Sequence, residues 1–191
     1  MGEVYKHAKT KRILRSREPP AEAAMVSEPS LLMEILFLLA KIAAVVIVLL
    51  LGFTFMFGLY RNGEASMTPA VKDGDLVVFY RLDKNYVADD VLGLEFEGKK
   101  QVRRVIATAG DMVDITEEGL FINGALQQET RIYTPTQRYE GGVEFPLTVK
   151  EGQVFVLGDS RVNATDSRIY GAVDIKDTLG KVIAILRRRD I

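Results

Sequence analysis

Ile42-Ala43-Ala44-Val45-Val46-Ile47-Val48-Leu49-Leu50-Leu51-Gly52-Phe53-Thr54-Phe55-Met56-Phe57-Gly58-Leu59-Tyr60, followed at once by Arg61-Asn62-Gly63-Glu64-Ala65-Ser66-Met67-Thr68-Pro69, decides how this chain reads. The first part is nineteen residues long and carries no charge. As a helix rising ~1.5 Å per residue it covers roughly 28 Å, close to the ~30 Å hydrocarbon core of a bilayer. The run predicts a transmembrane helix, with the hydroxyl of Ser66 a few residues beyond its end. A buried helix of a soluble protein is seldom this long without a polar interruption. A cleaved secretion leader has a shorter apolar core near the N-terminus and a small-residue cleavage site. Here some forty residues come first, which points to a retained anchor.

Upstream, 31–41 is apolar except for Glu34 and Lys41, and is expected to carry the helix through the inner interface, where Lys41 can snorkel. Residues 1–30 contain Pro19-Pro20 and show no apolar periodicity, so they read as a flexible tail. The tail holds six basic residues (Lys6, Lys9, Lys11, Arg12, Arg15, Arg17) against four acidic ones, whereas 61–191 holds 18 basic and 21 acidic residues. Basic residues flank the cytoplasmic side of a span, so the tail is expected inside and the domain outside. Beside a membrane, a basic tail reads as attracted to anionic lipid rather than to nucleic acid. The expected organisation is a cytoplasmic tail over 1–30, a membrane helix with its inner extension over 31–60, and an extracytoplasmic domain over 61–191.

Downstream the pattern changes to short strands and turns. Lys72-Asp73-Gly74-Asp75 is turn chemistry before the strand Leu76–Tyr80. Further strands are expected at 91–96, 101–107, 112–115, 154–157 and 179–186, and Asn123-Gly124 between short apolar runs marks a hairpin. The domain is therefore expected to be mainly β, built from coiled sheets. About 130 residues suffice for one core. The chain has no cysteine, which excludes disulfides, thiol catalysis and thiolate metal sites. Its one histidine, His7, lies in the tail, so a Ser-His-Asp triad in the domain is excluded. No metal or cofactor is expected. A serine nucleophile here needs a different base, and lysine is the known variant.

Four segments, in order, carry a resemblance. They are Ser66-Met67-Thr68-Pro69; Gly74-Asp75-Leu76-Val77; Arg103-Arg104-Val105-Ile106-Ala107-Thr108-Ala109-Gly110-Asp111; and Gly158-Asp159-Ser160-Arg161-Val162-Asn163-Ala164-Thr165-Asp166-Ser167-Arg168. Together with the preceding anchor they resemble the boxes of type I signal peptidases, membrane-bound serine endopeptidases with a Ser-Lys dyad. The likeness runs from about Ile42 to Leu186. It implies the β-sheet domain of that family, outside the plasma membrane of a bacterium, removing leader peptides from exported precursor proteins bound as an added β-strand. It implies Ser66 as nucleophile, with its own backbone amide as oxyanion donor, and Met67, Pro69, Asp159, Arg161, Asp166 and Arg168 as supporting residues.

Two positions depart from the pattern. Arg103 stands where the family has its base lysine, and Ala164 where it has the serine that orients that lysine. Burial can bring lysine from about 10.4 to roughly 7–8, at ~4 kcal/mol. The guanidinium of arginine holds its proton far above the range of lysine, so neutralising it at pH 7 costs on the order of 9 kcal/mol. Arg103 therefore holds the base position without the base chemistry. Lys99 or Lys100 can replace it only if a bulge re-aims one of them; otherwise they form a solvated strand end. Ser160 also replaces the family's asparagine. The alternative expectation is a relative that binds exported proteins without cleaving them, for example pilus or surface-protein subunits during assembly.

Overall fold

The computed structural model describes residues 30–129 and 132–187. The expected tail, with its basic cluster and His7, lies outside the described residues, except for Ser30.

Helix α1 spans Leu31–Met56 and buries none of its side chains. At ~1.5 Å per residue its 26 residues span roughly 39 Å, more than a bilayer's apolar core. Glu34 and Lys41 lie within it, toward its N-terminal end. The helix stops four residues short of the expected Tyr60. Phe57–Arg61 instead forms strand β1, paired antiparallel with β2 (Leu76–Tyr80) in the register Phe57↔Tyr80 to Arg61↔Leu76. Two effects make the switch. The Phe57 ring stacks at 5.3 Å on Tyr80. Gly58 admits the ring of Phe79, which would lie 2.1 Å from a Cβ there.

The remaining strands are β3 (Val91–Phe96), β4 (Lys99–Thr108), β5 (Met112–Thr116), β6 (Gly119–Ile122), β7 (Ala125–Leu126), β8 (Leu147–Thr148), β9 (Gln153–Leu157), β10 (Val173–Asp174) and β11 (Thr178–Leu186). They form a seven-stranded sheet, ordered β1-β2-β11-β3-β4-β9-β10, and a four-stranded sheet, ordered β7-β6-β5-β8. Every pairing is antiparallel. The mainly β expectation agrees with this. Asn123 and Gly124, both at positive φ, make the expected two-residue turn between β6 and β7.

Alternation on β4 sets the site. Val102 packs with Met67, Val71 and Val77. Val105 joins Leu92, Leu94, Val154 and Val156, and Ala107 joins Val113, Ile115, Leu120, Phe155 and Leu157. Burying an aliphatic side chain of this size contributes ~1.5–3 kcal/mol. These clusters lock β4 in register from Phe96↔Lys99 to Val91↔Arg104, without a bulge. Arg103 is thereby held as a fully buried residue at the middle of the strand.

Candidate active site

Ser66 sits in the turn that follows β1. Three backbone bonds fix that turn: Thr68 N–H to Ala65 O at 3.0 Å, Val71 N–H to Met67 O at 2.9 Å, and Ser160 N–H to Ser66 O at 2.9 Å. Met67 anchors it in the core, while Pro69, whose peptide bond is cis, lies exposed on its outer side. The last of the three bonds ties the serine to the loop after β9. That approach needs a glycine at 158, since a Cβ there would meet Ser66 O at 2.7 Å and the Ala164 Cβ at 2.3 Å.

Ser66 is 1% exposed, and its Oγ accepts a hydrogen bond from Arg103 Nη1 at 2.7 Å. The same nitrogen donates to Glu64 Oε1 at 2.6 Å and to Val102 O at 2.6 Å. Arg103 Nε and Nη2 both donate to Thr165 O, at 3.0 and 2.9 Å. The guanidinium thus spans from the serine turn to the loop that carries Ala164, which is itself buried. The carbonyl of Thr165, next to Ala164, orients the cation. Tyr170 adds a phenol whose buried hydroxyl has no hydrogen-bond partner among the described residues. Burial raises its pKa far above the ordinary value, and the positive charge of Arg103 opposes that rise.

The four charged residues expected to support the site form ion pairs behind it. Arg104, on the opposite face of β4 from Arg103, forks onto Asp159 with both contacts at 2.7 Å. That pairing raises the Arg104 pKa. Arg161 bonds to Thr136 Oγ1 at 2.7 Å, to Gly158 O and to Glu129. Asp166 caps the short helix α2 (Ser167–Tyr170). It accepts from Arg168 Nε at 2.9 Å, Arg168 Nη2 at 2.8 Å and Gly158 N–H at 3.1 Å. Arg168 Nη2 also reaches Arg161 O at 2.6 Å. None of these four side chains bonds to Ser66 or Arg103; Arg161, Asp166 and Arg168 bond to the backbone of 158–168, which touches both, while Asp159 ties that segment to β4 through Arg104.

Of the sequence-derived residues, the structure brings Ser66 and Arg103 into direct contact and sets Ala164 beside them. Lys99 and Lys100 are exposed at the start of β4, beside the two-residue turn that joins it to β3, where the register is regular. The bulge that a substitute lysine base requires is therefore missing. Glu64 was not expected at the site. Its only sequence signal is a carboxylate two residues before the serine. The Thr165 carbonyl carries no signal, because every residue type offers one.

The family model described as signal peptidase, peptidase S26, matches residues 35–187. A signal peptidase I of Bacillus licheniformis is 32% identical over 154 residues, covering 74% of this chain and 82% of that protein. A signal peptidase IB of Staphylococcus aureus strain COL is 30% identical over 172 residues, covering 78% and 87%. The solved signal peptidase I of Enterococcus faecalis V583 aligns with a TM-score of 0.43 at 26% identity, covering 52% of this chain and 97% of that one.

Proposed function

Because the chain belongs to the signal peptidase family, peptidase S26, we propose that it is a membrane-anchored serine endopeptidase that removes leader peptides from exported precursor proteins. The observation that carries this reading is the buried Ser66 hydroxyl, bonded at 2.7 Å to Arg103 at the position of the family's base. Ser66 is the nucleophile in this reading, and Arg103 fixes it without deprotonating it. Helix α1, long and apolar enough to cross a membrane, is the anchor, and the strands after Met56 form the catalytic domain. The leader would reach Ser66 in extended form, as an added strand.

The orientation proposed is tail inside and domain outside a bacterial plasma membrane, supported by the excess of Lys and Arg before the span. The basic tail is then placed to meet anionic lipid. Protease added to protoplasts should digest the domain and spare the tail; a protected domain would overturn the orientation.

The test of function compares wild type with Ser66→Ala in cells lacking other signal peptidases. Nucleophile and base act as a unit, so the variant should lose nearly all precursor processing. Processing that survives the change rules out Ser66. Processing absent from both, with assembly of pilus or surface proteins intact in both, would favour a binding role instead.

A further inference from the structure

Arg103 Nη1 carries two hydrogens but faces three acceptors at hydrogen-bond distance: Glu64 Oε1 at 2.6 Å, Ser66 Oγ at 2.7 Å and Val102 O at 2.6 Å. Two hydrogens cannot serve all three singly, and Ser66 Oγ, accepting from Nη1, keeps its own hydroxyl hydrogen free to turn toward a neighbouring acceptor. Of the three acceptors, Glu64 is the only anion. With both oxygens on one nitrogen, the two short arms put Glu64 Oε1 and Ser66 Oγ within about 5.3 Å of each other. One bridging water or a side-chain rotation spans that gap.

Glu64 is also held in place. The buried Asn62 donates from Nδ2 to Glu64 O at 2.7 Å and to Lys72 O at 3.0 Å. Asn62 N–H bonds to Asp75 O and Gly74 N–H to Asn62 O, each at 2.8 Å. The backbone of Glu64 is therefore pinned to the turn before β2, and its side chain, 33% exposed, lies on the solvent side of the buried Ser66.

We infer that Glu64 is the general base for Ser66, taking over the proton transfer that arginine at 103 cannot perform. In the acylation step the Ser66 Oγ–H proton passes to the Glu64 carboxylate as Oγ bonds to the scissile carbonyl carbon. When the C–N bond breaks, the Glu64 carboxylic acid gives that proton to the leaving amine. In deacylation Glu64 takes a proton from the attacking water and returns it to Ser66 Oγ as the ester breaks. Arg103 stays protonated throughout and keeps both oxygens in place. The inference rests on the peptidase reading above.

The test uses the full chain in detergent micelles with a leader-bearing precursor, comparing wild type, Ser66→Ala, Glu64→Gln and Glu64→Asp. Glu64→Gln keeps a carbonyl acceptor for Arg103 but removes the base. It should lower kcat at least ~100-fold, the scale of general-base catalysis, with KM close to wild type, in assays run well below a melting temperature that falls because buried Arg103 loses its anion. Glu64→Asp should retain part of the rate. A Glu64→Gln enzyme within about fivefold of wild type, with Ser66→Ala inactive, would overturn the inference and leave the peptidase reading standing. Wild type as inactive as Ser66→Ala would overturn both. The wild-type pH profile gives a check without a variant. A carboxylate base leaves kcat flat from about pH 6 to 9, whereas an amine base makes it climb through about pH 7–9. A steep alkaline rise in wild type would also sink the assignment.

Discussion

Arg103→Lys tests the site most sharply, because it exchanges a permanent cation for a titratable one inside the same cage. Lysine ends about one bond, ~1.3 Å, short of the guanidinium nitrogens. It gives up the paired bonds to Thr165 O at 3.0 and 2.9 Å. Hydrogen bonds to charged groups contribute about 1.5–3 kcal/mol each, so the variant should lose roughly 3–6 kcal/mol of stability. Against that stands the chemistry. The three acceptors around Nη1 match the three N–H bonds of an ammonium better than the two of a guanidinium nitrogen. Neutralising lysine at pH 7 costs ~4 kcal/mol against ~9 for arginine. The ~5 kcal/mol difference is between three and four orders of magnitude in the population of a neutral base. Arg103→Lys should therefore raise kcat for precursor cleavage at about pH 8–9 by tenfold or more, and add an alkaline-rising limb that wild type lacks. Adding Ala164→Ser, which supplies a hydroxyl where the family orients its lysine, should raise it further. The assay is single-turnover cleavage across pH, beside thermal melts followed by tyrosine near-ultraviolet dichroism, since the chain has no tryptophan. A folded Arg103→Lys enzyme that is slower than wild type at every pH would refute the reasoning, because position 103 would then have no path to the Ser66 proton.

Asp166→Ala should destabilise the domain by ~3–5 kcal/mol, because it strands the buried Arg168 guanidinium and the Gly158 N–H. The melting temperature should drop by roughly 10–15 °C, and a shift under about 3 °C would show that the ion pair carries little. Asp166→Asn, which keeps an acceptor, should cost less. Asp111 gives a pH signature. Its carboxyl is held below the usual range first by the Thr108 N–H and then by Asn123. A folded pKa below the unfolded one adds stability that is present above about pH 4 and is lost as pH falls through the folded value. Asp111→Asn should therefore lower the urea midpoint at about pH 6 and converge on wild type near pH 2; an equal gap at both would contradict this.

Much of the architecture was legible because its signals are local. Asp73-Gly74 and Asn123-Gly124 set turns by backbone freedom alone, and the apolar runs beginning at Leu76, Met112 and Val154 are bounded by such turns. Phe57–Arg61 was misread because an apolar run has no intrinsic sign of helix or strand. Its fate depends on Leu76–Tyr80, some twenty residues away, and on a ring that fills the space over Gly58. Strands β8 and β10, two residues each, are too short to show a period.

The site divides along the same line. Ser66 and the charged residues of 158–168 were legible as candidates because their type and spacing carry a signal. Glu64 and Thr165 were not, because their part follows from the length of another side chain. At 103 an arginine reaches the serine turn, the 62–64 segment and the 164–165 backbone together, five contacts from one buried group. A lysine has one nitrogen and cannot span them. The arginine at 103 is therefore the residue that holds the Glu64 carboxylate near the serine. A buried guanidinium without an anion is strongly disfavoured, and Glu64 supplies that anion at 2.6 Å. Arg103 and Glu64 are thus one structural unit in this chain. Restoring lysine at 103 and removing the charge at 64 should be strongly non-additive in activity, because each alters what the other does to Ser66.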